Sequence, residues 1–329
     1  MPSGARILAT VLVDPLVERE LGHLLPVVTA PDDGRATLLA LVPEAVCLIS
    51  RGNARIDGPL MDAAPKLRVV ARNGHGYENV DVAAATLRGI PLVYAPLLDR
   101  AVAEATFAMI LALTKNLFYW HQCLVTGQWD RRITERTTDL HEATLGIIGV
   151  GRIGRRVAQL GAAFGMRLVG HDPYLPPAVG RDLGLALVSI PELLATADVI
   201  SLNAVATPET RAIINRANLR HVKRGAYLVN FARGALIENL DILHEALEDG
   251  RLAGVGLDVF PEEPPRDLRH PLFAHPHFLG APHVLASTKL GEARCYRSMC
   301  QDILAVLEGR RPEWCVNPEV FESRALRKA

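Results

Sequence analysis

Short runs of apolar residues alternate along this chain with longer stretches in which apolar positions recur every three or four residues. "RILATVLVD", "AVCLIS", "LRVVARNG" and "PLVYAP" read as strands, and 57–65 and 79–88 read as helices between them. That rhythm predicts a parallel sheet with helices on its faces. A helical pattern follows at about 100–122, with Glu104 in its first turn, where a negative charge suits the helix dipole. An irregular polar stretch, 123–142, comes next. A second strand–helix series then runs from "TLGIIGVG" to about residue 288, with strands at "RLVGHD", "DVISLN", "AYLVNFA", "GVGLDV" and "FLGAPH". A last helix at about 290–309 precedes a polar tail. No solenoid-length repeat or low-complexity segment interrupts the pattern.

The pattern predicts an α/β protein of two Rossmann-like, doubly wound parallel-sheet domains with the active-site cleft between them. The second series looks complete and set into the first. The expected division is therefore 1–99 plus 290–329 for one domain and 100–289 for the other. A length of 329 residues suits two such units.

Composition narrows the class. Lys+Arg and Asp+Glu both number 36, so the net charge is zero, which argues against nucleic-acid or membrane-surface binding driven by bulk charge. "ILATVLVD" ends at Asp14 and reads as a strand rather than a signal peptide. "AVAEATFAMILALTKN" carries Glu104 and is too short and too interrupted to span a bilayer. Both readings point to the cytoplasm. The five cysteines are scattered without a CxxC, as reduced thiols would be. His270, His275, His277 and His283 crowd into one segment, but their Pro-rich spacing matches no standard ligand pattern, and no metal is expected.

The strongest local signal is "TLGIIGVGRIGRRVAQLG". Gly149, Gly151 and Gly154 form G-x-G-x-x-G directly after a strand and open a helix. The first glycine makes the tight turn, the second lets backbone approach a pyrophosphate, and the third lets helix pack on strand. The N–H groups of Arg152 and Ile153 would face the phosphates. The next strand ends at Asp172, at the spacing where a carboxylate takes the ribose hydroxyls and repels a 2′-phosphate, so NAD is favoured over NADP. FAD proteins share the fingerprint but usually carry it near the chain start. No tyrosine stands in a Tyr-x-x-x-Lys pair.

Three later strand ends supply the groups that reduction of a 2-oxo acid needs. "AYLVNFA" leads into Arg233, whose planar fork matches a carboxylate. "GVGLDV" ends near Asp258 and is followed by Glu262 and Glu263. His283 follows "FLGAP" and suits a proton donor that a carboxylate keeps protonated.

With "RNGHGYENVDV", "AVAEATFAMILAL", "ADVISLNAVATPETR", "LVNFARGALIENLDIL", "RLAGVGLDVFPEEP" and "APHVLAST", the chain resembles the NAD-dependent D-isomer-specific 2-hydroxyacid dehydrogenases over about 48–290. The resemblance implies that 1–99 plus 290–329 is a flavodoxin-like substrate domain and 100–289 the NAD-binding domain. It implies that Arg233 binds and polarises the substrate and that His283, paired with Glu263, is the acid/base. It places Asp258 on the nicotinamide carboxamide, with Phe231, Ala232, Thr207 and Ala286 lining the cofactor. The backbone of His75 and Gly76 would receive the substrate carboxylate, and Arg51 aligns with a loop that meets the distal substrate end. It also implies a homodimer with 100–142 in the interface, and a small-molecule substrate.

Several positions depart from that family. Asn203 and Val205 stand where His and Pro are usual, and Leu285 where glycine is common. The chain is shorter than relatives that append a regulatory domain. Two other readings stay open: an NAD(H)-sensing corepressor-like protein, and NAD-dependent oxidation of a non-carbonyl donor such as formate or phosphite.

Overall fold

The computed structural model describes residues 4–52, 54–74, 76–133 and 137–322. The chain forms two compact units, Met1–Leu98 with Ser287–Ala329, and Asp99–Ala286.

In the first unit the chain runs β1 (Arg6–Ala9), α1 (Pro15–Leu21), β2 (Val27–Thr29), α2 (Arg35–Leu41), β3 (Ala45–Ser50), α3 (Gly58–Asp62), β4 (Val69–Arg72), α4 (Val82–Leu87) and β5 (Leu92–Tyr94). The strands pair in parallel in the order β2-β1-β3-β4-β5. Every position of β3 is buried, as a strand covered on both faces requires. One face packs Leu16, Val17 and Leu21 of α1 with Tyr296, Met299 and Ile303 from the last helix of the chain. The other packs Leu38, Leu60 and Ala85. Short polar side chains set the helix starts. Asp14, Asp57 and Asp81 accept first-turn N–H groups of α1, α3 and α4. The strand order reverses between β1 and β3, and Thr10 and Arg51 follow the carboxyl ends of those two strands.

The second unit runs α5 (Asp99–Thr114), α6 (Leu117–Val125), β6 (Thr144–Ile148), α7 (Arg152–Ala163), β7 (Arg167–His171), α8 (Pro177–Asp182), β8 (Leu185–Leu187), α9 (Ile190–Thr196), β9 (Val199–Leu202), α10 (Arg216–Leu219), β10 (Ala226–Asn230), α11 (Asp241–Glu248), β11 (Leu252–Leu257) and β12 (Phe278–Gly280). The chain then returns to the first unit as α12 (Lys289–Leu307). The seven strands are parallel, in the order β12-β11-β10-β9-β6-β7-β8. The order reverses between β6 and β9, the place where open α/β sheets bind dinucleotides.

The single helix expected at 100–122 is two. Asn116 adopts a left-handed φ of 50°, which short polar side chains tolerate best, and α5 and α6 meet at 51°. Among the described residues no single helix is long and apolar enough to cross a membrane.

Candidate active site

The glycine turn after β6 is built as its sequence suggests. Gly149 has φ +90°, and a Cβ there would lie 2.5 Å from the Ala204 nitrogen. A Cβ on Gly154 would lie 2.1 Å from the Gly149 carbonyl oxygen, so α7 can approach β6 only without a side chain there. Gly151 differs: a Cβ added to it meets nothing within 4 Å. The space in front of it is open, and Gly151 caps α7 with no side chain to satisfy the first-turn N–H groups of Arg152 and Ile153. An open concavity facing uncapped helix N–H groups fits a pyrophosphate. Asp172, just past β7, accepts N–H groups from Val150 (2.9 Å) and Tyr174 (3.0 Å). The half-buried carboxylate is thereby fixed beside the turn, with acceptor capacity left for hydroxyls. Thr207 is tied to Thr210 in a turn after β9, its N–H donating to the Thr210 hydroxyl at 2.8 Å.

The carboxyl edge of the same sheet carries the titratable groups. His283 Nδ1 lies 2.8 Å from Glu263 Oε2. The other oxygen, Oε1, accepts the Phe260 N–H at 3.0 Å. The hydrogen bond to Glu263 holds the His283 imidazolium above the ordinary imidazole range, against burial, with the charges of Glu263 and Asp258 adding to it. Burial pushes Glu263 up, but the hydrogen bonds from His283 and Phe260 and the nearby positive charges bring it below the usual carboxylate value.

Arg233 is close enough for its charge to act on both partners. Its Nη1 donates to the Ala232 carbonyl at 2.7 Å. Phe231 is buried and Ala232 half-buried beside it, and Ala286 is half-buried at the end of the unit.

Asp258 is only 2% exposed, and burial raises its pKa. Its Oδ1 accepts the N–H groups of Val284 (3.0 Å) and Leu285 (3.4 Å). These bonds hold the loop in which His283 takes a left-handed φ of 54°, unusual for a residue with a side chain. Val284 and Leu285 are themselves exposed, at 48% and 41%.

The remaining histidines of the segment stand apart from this group. His270 bonds Asp241 at 3.0 Å, and His275 faces Glu248 at 3.5 Å.

In the first unit, Arg51 is engaged rather than free. Its guanidinium donates to the Tyr296 hydroxyl at 2.5 Å, lies 3.4 Å from Glu292, and stands over the Tyr296 ring. The Gly76 carbonyl accepts from Arg72 Nε at 2.6 Å, while Arg72 Nη1 reaches the carbonyls of Ser50 and Gly52. His75 lies outside the described residues.

Two organising residues escape the sequence reading. Arg72 braces the loops after β3 and β4. Asn230 ends β10 fully buried, with its amide bonded on both sides. The available signal was a polar residue closing each apolar strand, at "VVAR" and "AYLVN".

A family model described as D-isomer specific 2-hydroxyacid dehydrogenase, NAD binding domain, matches residues 107–284. The chain belongs to this family. It is 39% identical over 282 residues to a D-3-phosphoglycerate dehydrogenase of Methanocaldococcus jannaschii, covering 85% of this chain and 53% of that protein. It is 37% identical over 295 residues to a glyoxylate reductase of Aeropyrum pernix, covering 88% of each. The crystal structure of the TT0316 protein from Thermus thermophilus superposes with a TM-score of 0.87 at 38% identity, over 94% of this chain and 99% of that one. The chain spans about half the length of the D-3-phosphoglycerate dehydrogenases it matches. The NAD binding match lies wholly inside the second unit, which also carries the glycine turn and the His283–Glu263 pair.

Proposed function

We propose that the chain is an NAD-dependent D-2-hydroxyacid dehydrogenase that interconverts a small 2-oxo acid and its D-2-hydroxy acid. The observation that carries this reading is the 2.8 Å contact between His283 Nδ1 and Glu263, with the Arg233 charge acting on both, in the family's NAD-binding unit. The residues assigned to the cofactor are Gly149, Gly151, Gly154, Arg152, Ile153, Asp172, Thr207, Phe231, Ala232, Asp258 and Ala286. The cofactor supplies a hydride when bound.

The chain's own residues handle the substrate and its proton. Arg233 pairs with the carboxylate and polarises the carbonyl. Glu263 holds Nδ1, which leaves Nε2 as the nitrogen that delivers a proton to the carbonyl oxygen. In the opposite direction the same nitrogen takes the hydroxyl proton. Glu263 stabilises the charged ring, so the donor stays protonated near neutral pH. From the first unit we assign the backbone of His75 and Gly76 to the substrate carboxylate and Arg51 to an anionic distal group. Such a group would compete with Glu292 for the Arg51 guanidinium. The relatives' names make phosphohydroxypyruvate and glyoxylate the first substrates to try.

The reading includes a homodimer in the cytoplasm. Leu117, Phe118, Leu124, Val125 and Trp129 are each 55–62% exposed on and after α6, a concentration of apolar surface suited to a partner copy. The five cysteines are free thiols, which suits a reducing compartment.

The test is NADH oxidation with a panel of 2-oxo acids, run beside His283→Ala. Turnover on one member, lost in the variant while NADH still binds, is the expected result. Equal turnover in the variant would remove His283 from the mechanism, and no turnover across the panel would remove the activity itself.

A further inference from the structure

Arg233, Asp258 and His283 follow three different strands, β10, β11 and β12. The chemistry proposed above requires their side chains to be held to about 0.5 Å. Strand pairing alone does not fix loops beyond the strand ends. A circuit of contacts does, and it runs through one buried residue, Asn230, by its carboxamide to the Arg233 turn and by its backbone carbonyl to Asp258.

Asn230 Nδ2 donates to the Arg233 carbonyl at 2.9 Å, and Asn230 Oδ1 accepts the Ala232 N–H at 3.0 Å. The side chain thus spans the turn that carries the guanidinium. The Asn230 backbone carbonyl accepts the Asp258 N–H at 3.1 Å. Asp258 in turn binds the N–H groups that follow His283. His283 meets Glu263, and Glu263 accepts from Phe260. The Phe260 carbonyl closes the circuit against Gly234, where an added Cβ would lie 1.8 Å from it.

We propose that Asn230 is the positioning residue of this site, setting the substrate arginine and the His283–Glu263 arm in one frame. This inference rests on the functional reading above. The chemistry of the position is specific. The turn offers one carbonyl and one N–H, and only a carboxamide of this length supplies both a donor and an acceptor. Aspartate loses the donor to the Arg233 carbonyl. Leucine loses both partners and leaves two polar groups unpaired.

The experiment uses Asn230→Asp and Asn230→Ser in the full chain. The first readout is the imidazole titration of His283 followed by NMR, which needs neither substrate nor cofactor. The expected result in a folded Asn230→Ser variant is an upward shift of at least about half a pH unit, as the released turn carries the Arg233 charge, which holds the ring pKa down, away from His283. In Asn230→Asp the new carboxylate pushes the ring the same way, so Asn230→Ser is the deciding variant. The second readout is kcat on the best 2-oxo acid, expected to fall about 100-fold, the effect of a small misplacement of reacting groups. An unshifted His283 titration in folded Asn230→Ser overturns the proposal whatever its turnover. A shifted titration with wild-type kcat overturns it as well. Failure of both variants to fold assigns Asn230 to folding alone and also overturns it. If the wild-type chain reduces no 2-oxo acid, the functional reading fails, and the titration still decides whether Asn230 sets the frame.

Discussion

Glu263 Oε2 and His283 Nδ1 stand 2.8 Å apart, with the opposite oxygen of Glu263 held by the Phe260 N–H. The contact fixes the ring orientation and the proton inventory together. The His283 pKa is raised, so the ring stays protonated to a higher pH than a free imidazole. The stabilisation from the pair is fully present below the unfolded imidazole value of about 6.5 and is lost as pH rises through the folded His283 value. The lowered Glu263 pKa works from the other side: its contribution is present above the unfolded carboxylate value and is lost as pH falls through the folded one. Reduction of the 2-oxo acid is therefore expected to decline on the alkaline side of the His283 titration. Glu263→Gln removes the charge, moves that limb to lower pH and reduces kcat at neutral pH at least about tenfold. A pH–rate profile of the variant checks this, and an unmoved alkaline limb would contradict it.

Asp258→Asn separates loop anchoring from charge. The Asn oxygen can still accept the Val284 and Leu285 N–H groups, but the negative charge that helps raise the His283 pKa is gone. Asp258 acts on the ring only through space, whereas Glu263 also hydrogen-bonds it. The His283 titration should therefore move less in Asp258→Asn than in Glu263→Gln. The two titrations compared by NMR give the order, and the reverse order would show that the loop, not the charge, dominates.

The sequence makes the sheets and the glycine turn legible because both rest on local pattern. Predominantly apolar runs such as "AVCLIS" have to be buried, and G-x-G-x-x-G after a strand has a steric reason at each glycine. The strands Val27–Thr29 and Leu185–Leu187 escape reading because three residues at a sheet edge carry too little periodicity. The break at Asn116 is invisible to apolar spacing, since a single left-handed residue changes direction without changing composition. His283, Glu263 and Arg233 are legible as residue types at strand ends. Their coupling through Asn230 and Asp258 is not, because backbone N–H and carbonyl partners leave no trace in side-chain identity. Arg51 illustrates the same limit: its pairing with Tyr296 joins segments far apart in the chain.

Gly154→Ala tests the cradle. The new Cβ would lie 2.1 Å from the Gly149 carbonyl, backbone that cannot yield as a flexible side chain does. The helix has to withdraw from β6, carrying its N-terminal N–H groups with it. NADH affinity measured by fluorescence titration is expected to fall at least about tenfold, and stability by about 1–3 kcal/mol. Unchanged affinity would detach this helix terminus from cofactor binding.

The apolar surface on α6 gives an association test. Phe118 is 62% exposed and Leu124 60%. Phe118→Asp with Leu124→Asp places charge in the proposed partner face while leaving the unit's own core untouched. Sedimentation should show a dimer for the wild-type chain and a shift towards monomer for the variant. A dimer that survives both substitutions would place the interface elsewhere.

His275 sets an acid limit on the second unit. Its side chain is only 10% exposed, packed near His244 and His277 with Glu248 at 3.5 Å. Burial lowers its pKa, the His277 charge adds to this, and Glu248 opposes it without prevailing. The fold therefore favours the neutral ring. An unfolded chain binds the proton more readily, so stability is full above the unfolded imidazole value of about 6.5 and is lost as pH falls through it towards the lower folded value. His275→Gln removes the titration while keeping a polar side chain of similar reach. The wild-type melting temperature should fall more steeply than the variant's between about pH 7 and 5, the range in which an imidazole of this kind titrates. Parallel melting curves would show that the carboxylates alone govern acid stability, and would leave His275 without a role in it.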